Sequence, residues 1–165
     1  MKKLALLLTV FALPAQAAGY CGNMLMPAGA LSSISRGFSG HHAGMDLAAP
    51  MGSTIHAASA GTVSYAGWYR GYGNMVDVQH ADGLITRYAH MSAYAPELGY
   101  GTPVKAGQVV GVVGQTGHAH GNHIHFEVRY LGRAVNPASY LNLGNCIVAP
   151  PRVPVEEAYA PAGRR

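Results

Sequence analysis

Nine histidines stand in this chain of 165 residues, and two short stretches place some of them where they could do chemistry together. In His123-Ile124-His125-Phe126-Glu127-Val128, polar and apolar residues alternate. Successive side chains of an extended strand point to opposite faces, so His123, His125 and Glu127 share one face while Ile124, Phe126 and Val128 share the other. One face is core and the other is a site. In His42-Ala43-Gly44-Met45-Asp46 the offset of four also returns His42 and Asp46 to one face of an extended segment. Positions four apart share a helical face as well, but Gly44 and the following Ala-Ala-Pro-Met-Gly favour an extended segment ending in a turn. Imidazole and carboxylate suit Zn2+, and three protein ligands would leave a fourth tetrahedral position open, which is the arrangement of catalytic rather than structural zinc.

These residues need rigid elements to hold them. From Ser35 to Leu141 the sequence is a series of short apolar or alternating runs separated by glycine-bearing turns, an all-β pattern that the 22 glycines suit. Strands are expected near 43-48, 54-66, 74-80, 84-90, 108-113 and 123-130. Ala81-Asp82-Gly83 supplies a hairpin turn between the third and fourth of them. Pro137 to Leu141 predicts one short helical turn, and Met91 to Leu98 an irregular connection. Residues 18-34 are expected to wrap over the domain, and the Pro-rich segment 147-165 reads as a disordered tail.

Lys2 and Lys3, the ten-residue apolar run Leu4 to Leu13 and the small residues of Ala15-Gln16-Ala17 read as a secretory signal peptide over 1-17. The apolar run is well short of the ~20 residues that span a bilayer, so no transmembrane anchor is expected. Setting Lys2 and Lys3 aside reduces the formal charge from +4 to +2, and no basic block of the kind that binds nucleic acid is present. Export to an oxidising compartment predicts that Cys21 and Cys146 pair, in preference to two separate buried thiols. In the chain-entropy view such a long bridge is worth about 4 kcal/mol.

The two histidine stretches, in this order, resemble the signature of the lysostaphin-like (LytM-type) zinc endopeptidases. The similarity extends over Ser35 to Tyr140, through Gly73-Asn74-Met75-Val76, Asp82-Gly83-Leu84-Ile85-Thr86-Arg87-Tyr88-Ala89-His90, Val104-Lys105-Ala106-Gly107-Gln108 and Thr116-Gly117. The resemblance implies one peptidase domain over 35-146, built as an antiparallel β-sandwich or half-barrel core whose long loops form a groove around a zinc site. It implies that His42, Asp46 and His125 bind one Zn2+ per chain and that His90 and His123 are the catalytic pair. It further implies hydrolysis of peptidoglycan stem-peptide cross-links; a monomer is expected, and the leader with the cysteine pair predicts a location in the periplasm or outside the cell. Zinc would polarise the scissile carbonyl and acidify water, His123 would take a proton from that water, and His90 would bond the developing oxyanion or share the base role. By the same analogy Arg36, Tyr65, Asn74, Tyr88 and His120 line the groove. Glu127 could orient a histidine or simply pair with Arg129.

The other histidines have plainer readings. His80, ahead of the Asp82-Gly83 turn, is expected to be structural, and His56 to point to solvent. His118 and His120 read as loop composition. Two other functions fit parts of the sequence: a LytM-type regulator of other cell-wall hydrolases, non-hydrolytic or autoinhibited, and a biotinyl or lipoyl carrier hairpin around Lys105. The full set of five polar residues weighs against the first. The absence of a modification signature around Lys105 weighs against the second. No wall-targeting module is read in the chain, so a periplasmic recruiting partner is expected.

Overall fold

The computed structural model describes residues 22–142. The leader, the Pro-rich tail and the expected Cys21–Cys146 bridge lie outside the described residues. Ten strands carry the fold: β1 (Ser33–Arg36), β2 (Met45–Ala48), β3 (Thr54–His56), β4 (Gly61–Tyr69), β5 (Gly73–Gln79), β6 (Leu84–Tyr94), β7 (Pro103–Val104), β8 (Val109–Val113), β9 (His123–Tyr130) and β10 (Arg133–Val135). A single 3-10 turn, Pro137–Ser139, follows, capped by the Asn136 side chain. Among the described residues no helix is long and apolar enough to cross a membrane.

Every strand pairing is antiparallel, in the order β1-β2-β9-β6-β5-β4-β7, with β10 beside β9 and the β3-β8 pair joined through β6. The expected all-β antiparallel class is therefore what the structure shows, as one open sheet that forks at β6. Leu84 to Ala89 of β6 pair with β9, whereas Met91 to Tyr94 pair with β8. His90 stands at the fork in a left-handed conformation, φ 61°. On the opposite edge, Asn74 faces Met91 and Val76 faces Tyr88, so Ala89 and His90 together oppose Met75. This is a β-bulge, which bends a strand and re-aims a side chain.

Two expected segments differ. The run 54-66 is two strands, because the small residues Ala57 and Ala58 enter the core with no exposure and bond to the Gln108 carbonyl and the Tyr88 hydroxyl instead of a neighbouring strand. The expected irregular stretch from Met91 is strand as far as Tyr94, since β8 supplies partners from more distant sequence. Segment 22–32 does lie across the domain: Leu25 N–H bonds Ala58 O at 2.8 Å, and Gly29 N–H bonds Thr54 O at 3.1 Å.

The apolar face of β9 is core as expected, with Ile124, Phe126 and Val128 wholly buried against Leu47, Tyr88, Val76 and Val78. The Phe126 and Tyr88 rings lie 5.5 Å apart. Burial of each such side chain contributes about 1.5–3 kcal/mol and sets the register of β2, β9 and β6. One backbone approach brings the loop after β8 against the start of β5. A Cβ on Gly117, φ +72°, would sit 2.4 Å from Gly73 N and 2.5 Å from Gly71 O. Gly117→Ala is expected to lower stability by more than about 2 kcal/mol in chemical denaturation, through strain plus clash. Gly52→Ala, with φ +79° but open space around it, should cost only about 1 kcal/mol.

Candidate metal centre

β2 and β9 are neighbours in a register that sets Asp46 opposite His125. His42 arrives from the turn before β2, held by reciprocal backbone bonds between Ser39 and His42. Asp46 Oδ1 lies 2.8 Å from His125 Nδ1 and 3.1 Å from His42 Nε2, and the two ring nitrogens are 3.1 Å apart. In tetrahedral zinc sites with bonds of 2.0–2.1 Å, ligand atoms are about 3.3 Å apart. The three atoms are therefore close to the spacing zinc requires.

The outer hydrogen bonds fix which nitrogen is available. His42 Nδ1 is 2.8 Å from Gly37 O, and a carbonyl only accepts, so Nδ1 carries the hydrogen and Nε2 presents a lone pair. His125 Nε2 donates to Glu127 Oε1 at 3.0 Å, which turns Nδ1 inward. Three acceptor atoms thus converge on one point, and that arrangement needs a cation or a proton.

The titration behaviour agrees. Burial alone would raise the Asp46 carboxyl, but the His125 hydrogen bond and the charges of His125, His42 and His123 hold it below its ordinary value. Burial pulls His125 down, yet the bonds to Asp46 and Glu127 carry it above the usual imidazole value of 6.5. The same Asp46 and Glu127 contacts that favour a proton on His125 surround the point on which a metal would sit.

Glu127 is wholly buried and is the acceptor on which this orientation rests. Besides His125 it accepts from Tyr72 Oη at 2.6 Å and from Arg129 Nη1. Burial would raise this carboxyl, but the hydrogen bonds from His125, Tyr72 and Arg129 bring it down to about 2. Arg87, locked to Asp77 by two bonds of 2.8 Å, lies over the Tyr72 ring at 4.8 Å. The polar face of β9 is thus a buried polar layer and not a solvated one. The two readings of Glu127 are both realised, since it orients His125 and pairs with Arg129.

Two further histidines face the cluster. His90 Nδ1 donates to Thr116 O at 2.7 Å, and His123 Nδ1 donates to Gly121 O at 3.0 Å. Each therefore has its Nε2 free, and that of His123 is 3.7 Å from Asp46 Oδ1. The two rings are 4.8 Å apart. The His90 pKa is lowered, chiefly by burial and also by the neighbouring charges of His123 and His125, against the Thr116 bond. Its left-handed backbone, which costs about 1–3 kcal/mol in a non-glycine residue, is held by the bond from His90 N to Tyr72 O at 2.9 Å.

Of the expected groove residues, Arg36 and His120 line the cavity over this cluster. Tyr88 does not: it is fully buried in the core, its hydroxyl on Ala58 N and Thr86 Oγ1. Nor do Tyr65, whose hydroxyl bonds Trp68 O at 2.8 Å, and Asn74, which holds the β6 bulge through Met91 O at 3.1 Å. His118, read as loop composition, lines the cavity with His120, and so does Tyr72, which the sequence reading did not single out. Tyr72 sits in a Gly-Tyr-Gly turn with no local periodicity to mark it. His80 is structural as expected, bonded to Ala60 O and Thr86 Oγ1. His56 is half-buried and bonded to Gly107 O and Thr54 Oγ1, not turned freely to solvent.

Residues 40–137 match Peptidase family M23, and the chain belongs to that family. The resemblance to lysostaphin-like, LytM-type peptidases is borne out by this match. The chain is 44% identical over 98 residues to the DD-carboxypeptidase/endopeptidase Mpg of Neisseria meningitidis serogroup B, covering 59% of this chain and 22% of that protein. It is 40% identical over 103 residues to the murein hydrolase activator NlpD of Escherichia coli, covering 62% of this chain and 26% of that one. The chain thus spans about a quarter of the length of these relatives. Among solved structures it is similar to a zinc-containing peptidase from Vibrio cholerae, with TM-score 0.61 and 29% identity over 64% of this chain and 36% of the other.

Two outcomes follow from the geometry. Glu127→Gln is expected to weaken zinc binding about 10–100-fold in a chelator competition, because the replacement loses the charge that fixes His125. The pH dependence has a definite sign. The raised pKa of His125 stabilises the metal-free fold below pH 6.5, and that contribution is lost as pH rises through the raised value. Zinc must displace the same proton, so its stabilisation runs the opposite way. The zinc-induced rise in thermal midpoint should be small near pH 5 and grow toward pH 8.

Proposed function

We propose that this chain is an exported zinc-dependent endopeptidase that hydrolyses peptide cross-links of bacterial peptidoglycan, acting in the periplasm or outside the cell. The observation that carries the reading is the convergence of His42 Nε2, Asp46 Oδ1 and His125 Nδ1 beside two further histidines tethered with Nε2 free. His42, Asp46 and His125 would hold the zinc, which when bound would supply Lewis acidity to polarise a carbonyl and to bring the pKa of water toward ~7. Membership of a peptidase family and the likeness to a zinc-containing peptidase support that choice of metal.

The chain's own residues divide the remaining work. His123 is placed to take the proton from the attacking water at Nε2, its ring held by Gly121 O. His90 shares that base role. Burial lowers its pKa and so favours the neutral ring, and a neutral ring whose Nδ1 is committed to Thr116 O has no hydrogen at Nε2 to give an oxyanion. The signal-like sequence at 1-17 supports export. The name of the relative NlpD, a murein hydrolase activator, favours a second reading in which this chain regulates other wall hydrolases. The complete set of polar residues in the site supports catalysis over that reading.

Digestion of purified peptidoglycan by the zinc-loaded protein, with products identified by mass spectrometry, separates them. Cleaved peptide cross-links are expected. His125→Ala should lose both metal and activity, whereas His123→Ala should retain metal and lose at least about 100-fold in rate. Intact peptidoglycan together with stimulation of a second wall hydrolase would establish the regulator instead.

A further inference from the structure

β1 carries a second bulge, and it lies beside the metal cluster. Ile34 is paired with Leu47 and Arg36 with Asp46, leaving Ser35 as the extra residue between them. Leu47 points into the core and Asp46 into the site. The insertion therefore sets Arg36 across from Asp46 on the site side of the sheet, and Arg36 lines the same cavity as the cluster.

The electrostatics of that cavity are lopsided. Asp46 is the one carboxylate among its lining residues, and it is already engaged by His42 and His125. Two arginines beside the cluster are committed: Arg87 to Asp77, and Arg129 to Glu127. Arg36 forms no ion pair among the described residues. Its guanidinium makes a single long bond, 3.5 Å to His41 O, on an exposed strand. A permanent cation with most of its five donors free beside a metal centre is matched by a planar anion.

Building on the peptidoglycan reading above, we propose that Arg36 is a specificity-determining residue that binds a free carboxylate of the substrate peptide next to the scissile bond, so that the site selects carboxylate-bearing stem peptides over their amidated forms. The guanidinium fork can take both carboxylate oxygens, whereas a carboxamide offers one acceptor and no charge. The bulge presents the fork on the rigid edge of the sheet, at fixed register to Asp46.

Calorimetric titration of the zinc-loaded full chain tests this without requiring turnover. The probes are two stem-peptide analogues whose scissile amide is replaced by a non-hydrolysable isostere, one carrying the free carboxylate and the other the carboxamide. The wild type should bind the carboxylate form at least about tenfold more tightly, and the preference should shrink as salt is added. In Arg36→Gln the preference should fall to near unity, and in Arg36→Lys part of it should return. Equal affinities in the wild type would overturn the proposal. So would a preference that survives in Arg36→Gln, which would place the carboxylate on the metal or a histidine. Equal weakening of both analogues in Arg36→Gln, the signature of a merely structural role, would overturn it too. Failure to cleave peptidoglycan would count against the proposed function alone, because the binding ratio is read separately.

Discussion

Two carboxylates hold the two ring nitrogens of His125 from opposite sides, Asp46 at Nδ1 and Glu127 at Nε2. That pair of hydrogen bonds to one imidazole is the constraint to which the rest of the site is fitted. Asp46 reaches it across the β2-β9 ladder and Glu127 along β9 itself, so the geometry depends on strand register and alternation. A slip of one residue between β2 and β9 would put Leu47 in the site and Asp46 in the core. Packing of Leu47, Ile124 and Phe126 on the other face opposes such a slip. The apolar core on one face thus positions the polar cluster on the other.

A buried carboxylate is costly unless its oxygens are satisfied and its charge is balanced. Glu127 meets both conditions with three donors, and Arg87 closes the layer through Asp77 and the Tyr72 ring. Tyr72 has a second part in this: its carbonyl accepts from His90 N, which helps keep His90 in its left-handed conformation at the β6 bulge. One turn residue therefore links the orientation of His125 to that of His90. Both bulges in the site, at His90 and at Ser35, bring a side chain to the cavity that regular pairing would have directed elsewhere.

How much of this could be read from the sequence depends on the range of the interaction. Alternation along His123 to Val128 and the four-residue offset of His42 and Asp46 are local, and both were legible, as were the all-β class and the hairpin turn at Asp82-Gly83. The extension of β6 to Tyr94 was not, because it depends on β8, and the break at Ala57 depends on a tyrosine hydroxyl thirty residues away. Tyr88 illustrates the limit of analogy. Its place beside the catalytic stretch made it a groove residue on paper, yet alternation sets it on the same side of β6 as Thr86, in the core against Phe126. Tyr72 carried no local pattern at all, and only the packing of its turn against β9 reveals its place.

Two of the three atoms that face the centre come from adjacent strands of a sheet whose core is complete without them. Small zinc-dependent domains fold on metal binding because nothing else brings their ligands together. Here burial of Phe126, Ile124 and Leu47 does so, and the Asp46 and Glu127 contacts favour a proton on His125. A site ordered before it is loaded keeps His90 and His123 in place as well, since both are tethered to carbonyls that are not part of the cluster. In this fold the convergence of His42, Asp46 and His125 is a consequence of strand register.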